Sequence, residues 1–202
     1  MKVSQEELDG ARTRVAERFG AKTAPAVLSV IPGEIVRDVA LNLSRALDGD
    51  SALLARADRL LIGYGVVVAK SGTPKQGLAL WLADAAKLAG KTDEDLEAAQ
   101  AVAIACATYN GYYKFRSLVD QSKDFDSFGA ALRASPFVRS SLPKTLVELI
   151  CLAVSVSNGC GQCVNGHVAT IRQAGLSNAN ATIDETVRIG AVVAALAAWD
   201  HD

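Results

Sequence analysis

The chain contains few aromatic residues, no block of like charges and no long apolar run. Phe, Trp and Tyr make up 5% of its 202 residues although 50% are hydrophobic, so Ala, Val and Leu must fill the interior. Small aliphatic side chains suit closely packed helices better than a β-sandwich. The composition therefore predicts an all-α protein, and the length favours a single domain.

The charges and the apolar segments argue against two classes of partner. Lys and Arg number 21 against 22 Asp and Glu, a formal net charge of -1, so the chain lacks the electrostatic footprint of a nucleic-acid-binding protein. Residues 1–7 lack the apolar core of a secretion signal, and the uncharged stretches are too short or too interrupted to span a bilayer. We expect a cytoplasmic protein that binds neither nucleic acid nor membrane.

The spacing of apolar residues predicts eight or nine helices and no strand. The predicted helical segments are 4–19, 33–47, 51–70, 75–89, 93–113, 128–134, 143–157, 160–174 and 183–199. Residues 1–32 are predicted to form an N-terminal helical extension, and residues 33–202 one helical domain.

A weak internal repeat is visible, because residues 82–90 resemble residues 167–175. Each copy is followed by a polar loop and an Ala/Val-rich helix, which predicts a duplicated helical unit with its second copy at about 143–199. A chance likeness between Ala-rich helices is the alternative. The first copy has Gly63, Lys75, Leu78 and Leu82 where the second has Glu148, Cys160, Cys163 and His167. The first copy is therefore expected to be structural.

The second copy contains the residues that point to chemistry. A Cys-x-x-Cys pair, Cys160 and Cys163, favours redox or metal chemistry over a structural disulfide in a reducing cytosol. With Cys160 in the first turn of its helix, Cys163 and His167 follow at intervals of three and four and share one face. The turn at 158–159 places Glu148 level with about position 169 of the next helix, so Glu148 and His167 are expected to meet.

This set of residues is sufficient for dithiol redox turnover. A thiol ionises more readily at a helix N-terminus or beside an imidazole. A carboxylate on the imidazole fixes its tautomer and stabilises its charged form. The Cys-x-x-Cys spacing then lets the second thiol close a disulfide on the oxidised first thiol.

Other interpretations of these residues remain open. Cys160, Cys163, His167 and Glu148 would also satisfy a four-coordinate zinc ion. A non-enzymatic redox-sensing or oligomerisation module, and decarboxylase or isomerase chemistry, are further alternatives. The remaining candidate side chains are assigned no chemistry: Cys106 and Cys151 are expected to be plain core residues, and His201 to be solvated.

The pattern Glu148, eleven residues, Cys160-x-x-Cys163, three residues, His167 resembles the alkyl hydroperoxide reductase D branch of the carboxymuconolactone decarboxylase-like helical proteins. The likeness extends to residues 41–44, 154–160 and 174–175 and covers about 35–199. It implies an all-helical homotrimer with thiol-dependent peroxidase activity and no tightly bound cofactor. It also implies that the lipoyl group of a carrier protein reduces the dithiol, which in turn reduces a peroxiredoxin of the alkyl hydroperoxide reductase C type.

The resemblance also implies a role for each site residue. Cys163 would be the thiolate that becomes a sulfenic acid, and Cys160 the more exposed proton donor and resolving thiol. Glu148 and His167 would form the relay that removes the proton from Cys163. The best-known members have a second histidine immediately before the inner cysteine. Here that position is Gln162, which cannot titrate near neutral pH, so a shorter or slower relay is expected.

Overall fold

A computed structural model describes residues 3–49, 53–71, 77–119, 122–125 and 127–200, and every regular element in these ranges is helical. The all-α prediction is confirmed. The helices are α1 (Gln5–Phe19), α2 (Gly33–Asp48), α3 (Arg56–Ser71), α4 (Gly77–Leu88), α5 (Asp93–Leu118), α6 (Ser135–Arg139), α7 (Lys144–Asn158), α8 (Gly161–Gln173) and α9 (Ala179–Ala197). Two short 3₁₀ turns lie at Ala26–Ser29 and Ser122–Phe125.

Most helix boundaries follow from local capping signals. Ser4 begins α1 with a capping box completed by Glu7, and Thr92 begins α5 with one completed by Asp95. In each box two of the backbone N–H groups left unpaired at a helix start gain a side-chain partner. α1 ends at Gly20, which takes the left-handed conformation (φ 65°) that glycine adopts without a steric cost.

The predicted helix at 128–134 is wrong. The backbone of Ala131 has φ 51°, which a right-handed helix cannot contain. Two tyrosine hydroxyls of α5 also donate hydrogen bonds to this segment. The Tyr109 hydroxyl donates to the Leu132 carbonyl, and the Tyr112 hydroxyl donates to the Gly129 carbonyl. The segment is therefore irregular and packs across α5, and α6 begins only after it, at Ser135.

Three other predicted ends are displaced. α3 begins at Arg56 rather than at 51, α5 continues to Leu118 rather than to 113, and α9 begins at Ala179 rather than at 183. The predicted capping residue Ser51 and the predicted turn at 72–74 lie outside the described residues.

The core is built around α7, which packs against α3, α5, α8 and α9. Two glycines let neighbouring helices approach it closely. A Cβ atom added at Gly65 of α3 would lie 3.0 Å from Ile150 Cγ2, and one at Gly190 of α9 would lie 3.1 Å from the Ala153 carbonyl oxygen. Because interiors are densely packed, α7 is held firmly between α3 and α9.

The helix order agrees with the proposed repeat. A shift of 85 residues, the distance from Leu82 to His167, places α3 on 141–156 and α4 on 162–173, close to the bounds of α7 and α8. Leu78 and Leu82 are fully buried, so these two positions of the first copy are structural as expected. Lys75 lies outside the described residues.

The N-terminal helix shares the core of the rest of the chain. α1 packs on α2, and its residues Val15 and Phe19 belong to the same hydrophobic cluster as the later helices. The domain boundary at residue 32 stays a prediction. No helix among the described residues is long and apolar enough to cross a membrane.

Candidate active site

A tight turn connects α7 to α8 and positions the first of the predicted site cysteines. Gly159 ends α7 with φ 69°, and its N–H donates to the carbonyls of Ser155 and Val156. The Cys160 N–H donates to the Ser155 carbonyl at 3.1 Å. These bonds satisfy the last carbonyls of α7 and reverse the chain, so that α8 runs back along α7.

The structure joins Cys160 to Cys163 by a disulfide with a Cα–Cα distance of 5.3 Å. Cys160 is the N-cap residue of α8, and its sulfur also accepts a hydrogen bond from the Cys163 N–H at 3.3 Å. The predicted proximity of the two sulfurs is confirmed. Their position at the start of α8 exposes them to the positive end of the helix dipole, which favours a thiolate in the reduced protein.

The two cysteines differ in exposure. Cys160 is only 1% exposed, whereas Cys163 is half-buried. The expectation that Cys160 is the more exposed thiol is wrong for this oxidised chain. Cys160 occupies the N-cap against the end of α7, while Cys163 lies one turn further along a helix in which Ile171 is the single fully buried residue.

Glu148 of α7 and His167 of α8 meet as the register of the two helices predicts. The Glu148 Oε2 atom lies 2.7 Å from His167 Nδ1, and the side chains are 28% and 20% exposed. With Nδ1 engaged by the carboxylate, Nε2 is the ring nitrogen available for another partner. The pair therefore fixes the orientation of the imidazole.

The structure also brings Cys106 and Cys151 to this histidine. Both thiols are buried as expected, at 1% exposure each, but they are not isolated core residues. One ligand-type atom each of Cys106, Cys151 and His167 lies within 4.8 Å of the other two. The Cys106 sulfur donates to the Cys151 carbonyl oxygen at 3.4 Å. A second thiol pair thus shares the imidazole with Glu148.

A buried polar network surrounds the second thiol pair. The Asn110 side-chain amide donates to Ser155 Oγ at 2.9 Å, and Ser155 Oγ lies 3.5 Å from the Cys106 sulfur. Asn158 donates to Asn110 Oδ1 at 3.1 Å and links the network to the turn before Cys160. The sequence held a signal for it, because Asn110 follows Cys106, and Ser155 follows Cys151, by four residues in otherwise apolar helices.

Hydrogen bonding shifts the titration of all three clustered groups. A hydrogen bond from the Cys151 thiol, with smaller contributions from His167 and Ser155, lowers the pKa of Cys106 to about 5 against the opposing effect of burial. The same bond and burial raise the pKa of Cys151. Burial alone would lower the pKa of His167, but hydrogen bonds with Cys106 and Glu148 raise it to about 9. At neutral pH the imidazole is therefore protonated.

Two lysines bond to the carboxyl end of α7 beside the disulfide turn. Lys114 Nζ donates to the Asn158 carbonyl at 2.9 Å, and Lys70 Nζ donates to the Ser157 carbonyl at 2.7 Å. Burial and the nearby Lys114 charge lower the pKa of Lys70. Both cations satisfy carbonyls that a helix end leaves unpaired and add positive potential to the turn. No pattern in the sequence had connected them with the site.

The alternative zinc site made of both Cys-x-x-Cys sulfurs, His167 and Glu148 does not match this oxidised arrangement. The two sulfurs bond to each other, and a disulfide offers no thiolate to a metal ion. Glu148 is bonded to the imidazole. The geometry of these four residues instead places a redox-capable sulfur pair one helical turn from an oriented histidine.

Comparison with known proteins identifies the family. Residues 122–201 match the model of the carboxymuconolactone decarboxylase family. The chain is 37% identical to the alkyl hydroperoxide reductase AhpD of Azorhizobium caulinodans over 80% of this chain and 84% of that protein. It is 33% identical to the protein of the same name from Methylobacterium sp. (strain 4-46), over 87% and 94% of the two chains, and 36% identical to that of Anaeromyxobacter sp. (strain K), over 87% and 89%. On this similarity across most of its length, the chain belongs to the alkyl hydroperoxide reductase AhpD family.

Proposed function

We propose that this protein is an alkyl hydroperoxide reductase that works through the Cys160–Cys163 dithiol. The observation that carries the proposal is the Glu148–His167 hydrogen bond of 2.7 Å, one helical turn from a disulfide-linked cysteine pair at a helix N-terminus. The relatives named alkyl hydroperoxide reductase AhpD support the choice of substrate class.

Cys163 is the proposed peroxidatic residue, and its greater exposure supports access of the peroxide to it. Its thiolate attacks one oxygen of the peroxide, so an S–O bond forms while the O–O bond breaks. The alcohol leaves after taking a proton, and Cys163 becomes a sulfenic acid. The Cys160 thiol then attacks that sulfur, which forms the disulfide and releases water.

Glu148 and His167 are the proposed proton relay. The carboxylate holds Nδ1, so the protonated Nε2 is the atom that donates a proton to the departing alkoxide, and the neutral ring that results accepts the next proton from a thiol. Gln162 offers an amide and no titratable group at the position before Cys163. The relay in this chain therefore depends on a single imidazole.

The reductant and the partners rest on the family resemblance. A lipoyl group on a carrier protein would reopen the disulfide, because its two thiols exchange with Cys160–Cys163 and leave as the cyclic disulfide. The reduced protein would also supply electrons to a peroxiredoxin of the alkyl hydroperoxide reductase C type. We propose a homotrimer that works in the cytoplasm.

The proposal is tested by peroxide consumption with dihydrolipoamide as the reductant. We expect Cys163→Ser to lose turnover, because a hydroxyl cannot form the sulfenic acid or the disulfide. Asn165→Ser, which alters an exposed residue of the same helix, is the matched control and should keep the wild-type rate. Equal rates in Cys163→Ser and the control would remove the proposal.

A redox sensor of the same fold is distinguished by stoichiometry. A sensor would consume one equivalent of peroxide per chain and stop even with excess dihydrolipoamide, whereas the proposed enzyme consumes many. Mass measurement of the Cys160–Cys163 peptide after one equivalent of peroxide locates the first oxidised sulfur. We expect a trapped sulfenic acid on Cys163 in the Cys160→Ser variant.

A further inference from the structure

The second thiol pair has a composition suited to metal binding. Cys106 on α5 and Cys151 on α7 meet His167 of α8, with the three ligand-type atoms within 4.8 Å of one another. Neither cysteine belongs to the Cys160–Cys163 disulfide, and both remain free thiols. Thiolate sulfur and imidazole nitrogen are the donors that thiophilic ions such as zinc prefer.

We propose that Cys106, Cys151 and His167 form a binding site for a single zinc ion, separate from the Cys160–Cys163 pair. Three protein ligands leave the fourth tetrahedral position to water or to an outside ligand, as in open zinc sites. Two thiolates balance the charge of Zn²⁺, so that the filled site carries no net charge in a buried environment. The ligands come from three helices, which the bound ion would hold together.

The surroundings of the cluster match those of a built metal site. Glu148 Oε2 lies 2.7 Å from His167 Nδ1, the carboxylate–histidine arrangement that orients a ligating imidazole and increases its basicity. Ser155 Oγ lies 3.5 Å from the Cys106 sulfur and is itself held by Asn110. These groups fix two of the three ligands from outside the site.

The distances require only a small closure. An ion about 2.3 Å from each sulfur and about 2.0–2.1 Å from nitrogen needs ligand atoms roughly 3.5–3.8 Å apart. The three ligand atoms now lie up to 4.8 Å apart. They must therefore come closer by about 1 Å when zinc binds, which is within the range of side-chain rotation. The His167 side chain, which is 20% exposed, is the part of the cluster that solvent reaches.

Zinc binding would have a consequence for the proposed peroxidase, and this step rests on the proposed function. Bound zinc occupies Nε2 of His167, the atom assigned to proton transfer. Metal-loaded protein is then expected to reduce peroxide more slowly, and a chelator should restore the rate. The site itself is tested by metal content, which does not depend on activity.

The first experiment uses the Cys160→Ser/Cys163→Ser variant, which removes the other sulfur pair while serine remains a good helix N-cap. After incubation with zinc and gel filtration, we expect one zinc per chain. X-ray absorption at the zinc edge should show two sulfur ligands and one imidazole. Absence of bound zinc, or a shell of oxygen and nitrogen alone, would overturn the proposal.

The second experiment changes the ligands one at a time in that background. Cys106→Ser and Cys151→Ser should lose stoichiometric zinc, while Ser155→Ala, which removes an outer contact and no ligand, should weaken binding by about 10–100-fold. Folding of each variant is checked by circular dichroism. If Cys106→Ser or Cys151→Ser fails to fold, the X-ray absorption spectrum of the parent decides. Undiminished binding in both folded variants would refute the site.

Discussion

The two thiol pairs of this protein are built in different ways. Cys160 and Cys163 lie three residues apart at the start of α8, and local chain geometry alone brings their sulfurs together. Cys106 and Cys151 are 45 residues apart and meet only because α5 packs against α7. The first pair is disulfide-linked at a half-exposed turn, whereas the second is a buried pair of free thiols.

One histidine connects the two pairs. His167 follows Cys163 by one helical turn, yet its ring also lies against Cys106 and Cys151. Under our two proposals the same imidazole serves the redox pair and the zinc site, with Glu148 orienting it for both. Variants that affect one pair and spare the other measure how far the two functions are coupled.

The largest expected effect comes from removing the shared imidazole. In reduced His167→Gln we expect the rate of Cys163 oxidation by peroxide to fall by about 10²–10⁴-fold, the usual contribution of a positioned acid or base. Stopped-flow measurement under single-turnover conditions gives this rate. Glu148→Gln keeps the imidazole and should have a smaller effect. A wild-type rate in His167→Gln would separate the histidine from the redox pair.

The coupling between Cys106 and the imidazole predicts a pH effect. The pKa of His167 is raised from 6.5 to about 9, so in the wild type its ring keeps its proton well above pH 6.5 and loses it as the pH rises through about 9. In Cys106→Ala one of the two groups that raise this pKa is lost while Glu148 remains, so the ring should lose its proton at a lower pH than in the wild type. NMR titration measures both midpoints.

The sequence contains one other histidine, His201, whose resonance is identified with His201→Gln and whose midpoint should not move in Cys106→Ala. An unchanged His167 midpoint in Cys106→Ala would show that the second thiol pair does not influence the imidazole.

The polar network around the second thiol pair predicts that a substitution within it lowers the stability of the protein more than a substitution on the exposed side of α5. Asn110→Ala removes a hydrogen bond from Ser155 Oγ and one from the Asn158 amide and should lower the free energy of unfolding by about 1–3 kcal/mol. Urea unfolding measures the loss. Thr108→Ala alters a hydroxyl on an exposed part of the same helix and should change the free energy by about 0.5 kcal/mol or less. Similar losses in both variants would contradict this role for the network.

The smallest expected effect concerns the lysine beside the disulfide turn. Lys114→Met removes a charge that donates to the Asn158 carbonyl and should slow alkylation of the reduced Cys160–Cys163 pair by about twofold at low salt. The difference should vanish near 1 M salt, where screening acts over about 3 Å. A salt-independent difference would indicate a steric cause.

Local signals in the sequence were enough for one half of the site. Capping residues such as Thr92, the turn at Gly159 and the helical register predicted the helices and the meeting of Glu148 with His167. The Cys106–Cys151 meeting depends on which faces of two distant helices pack together, and periodicity within each helix does not determine that. The helix predicted at 128–134 failed for the same reason, because hydrogen bonds from α5 hold that segment in an irregular conformation.

The glycines that hold α7 have a consequence for redox turnover. Gly65 and Gly190 seat this helix against its neighbours with no space for a further carbon atom, while α8 buries little more than Ile171. In the proposed catalytic cycle, separation of the Cys160 and Cys163 sulfurs on reduction would therefore move α8 rather than α7. Glu148 would keep its position, so that α8 returns to the same carboxylate after each turnover.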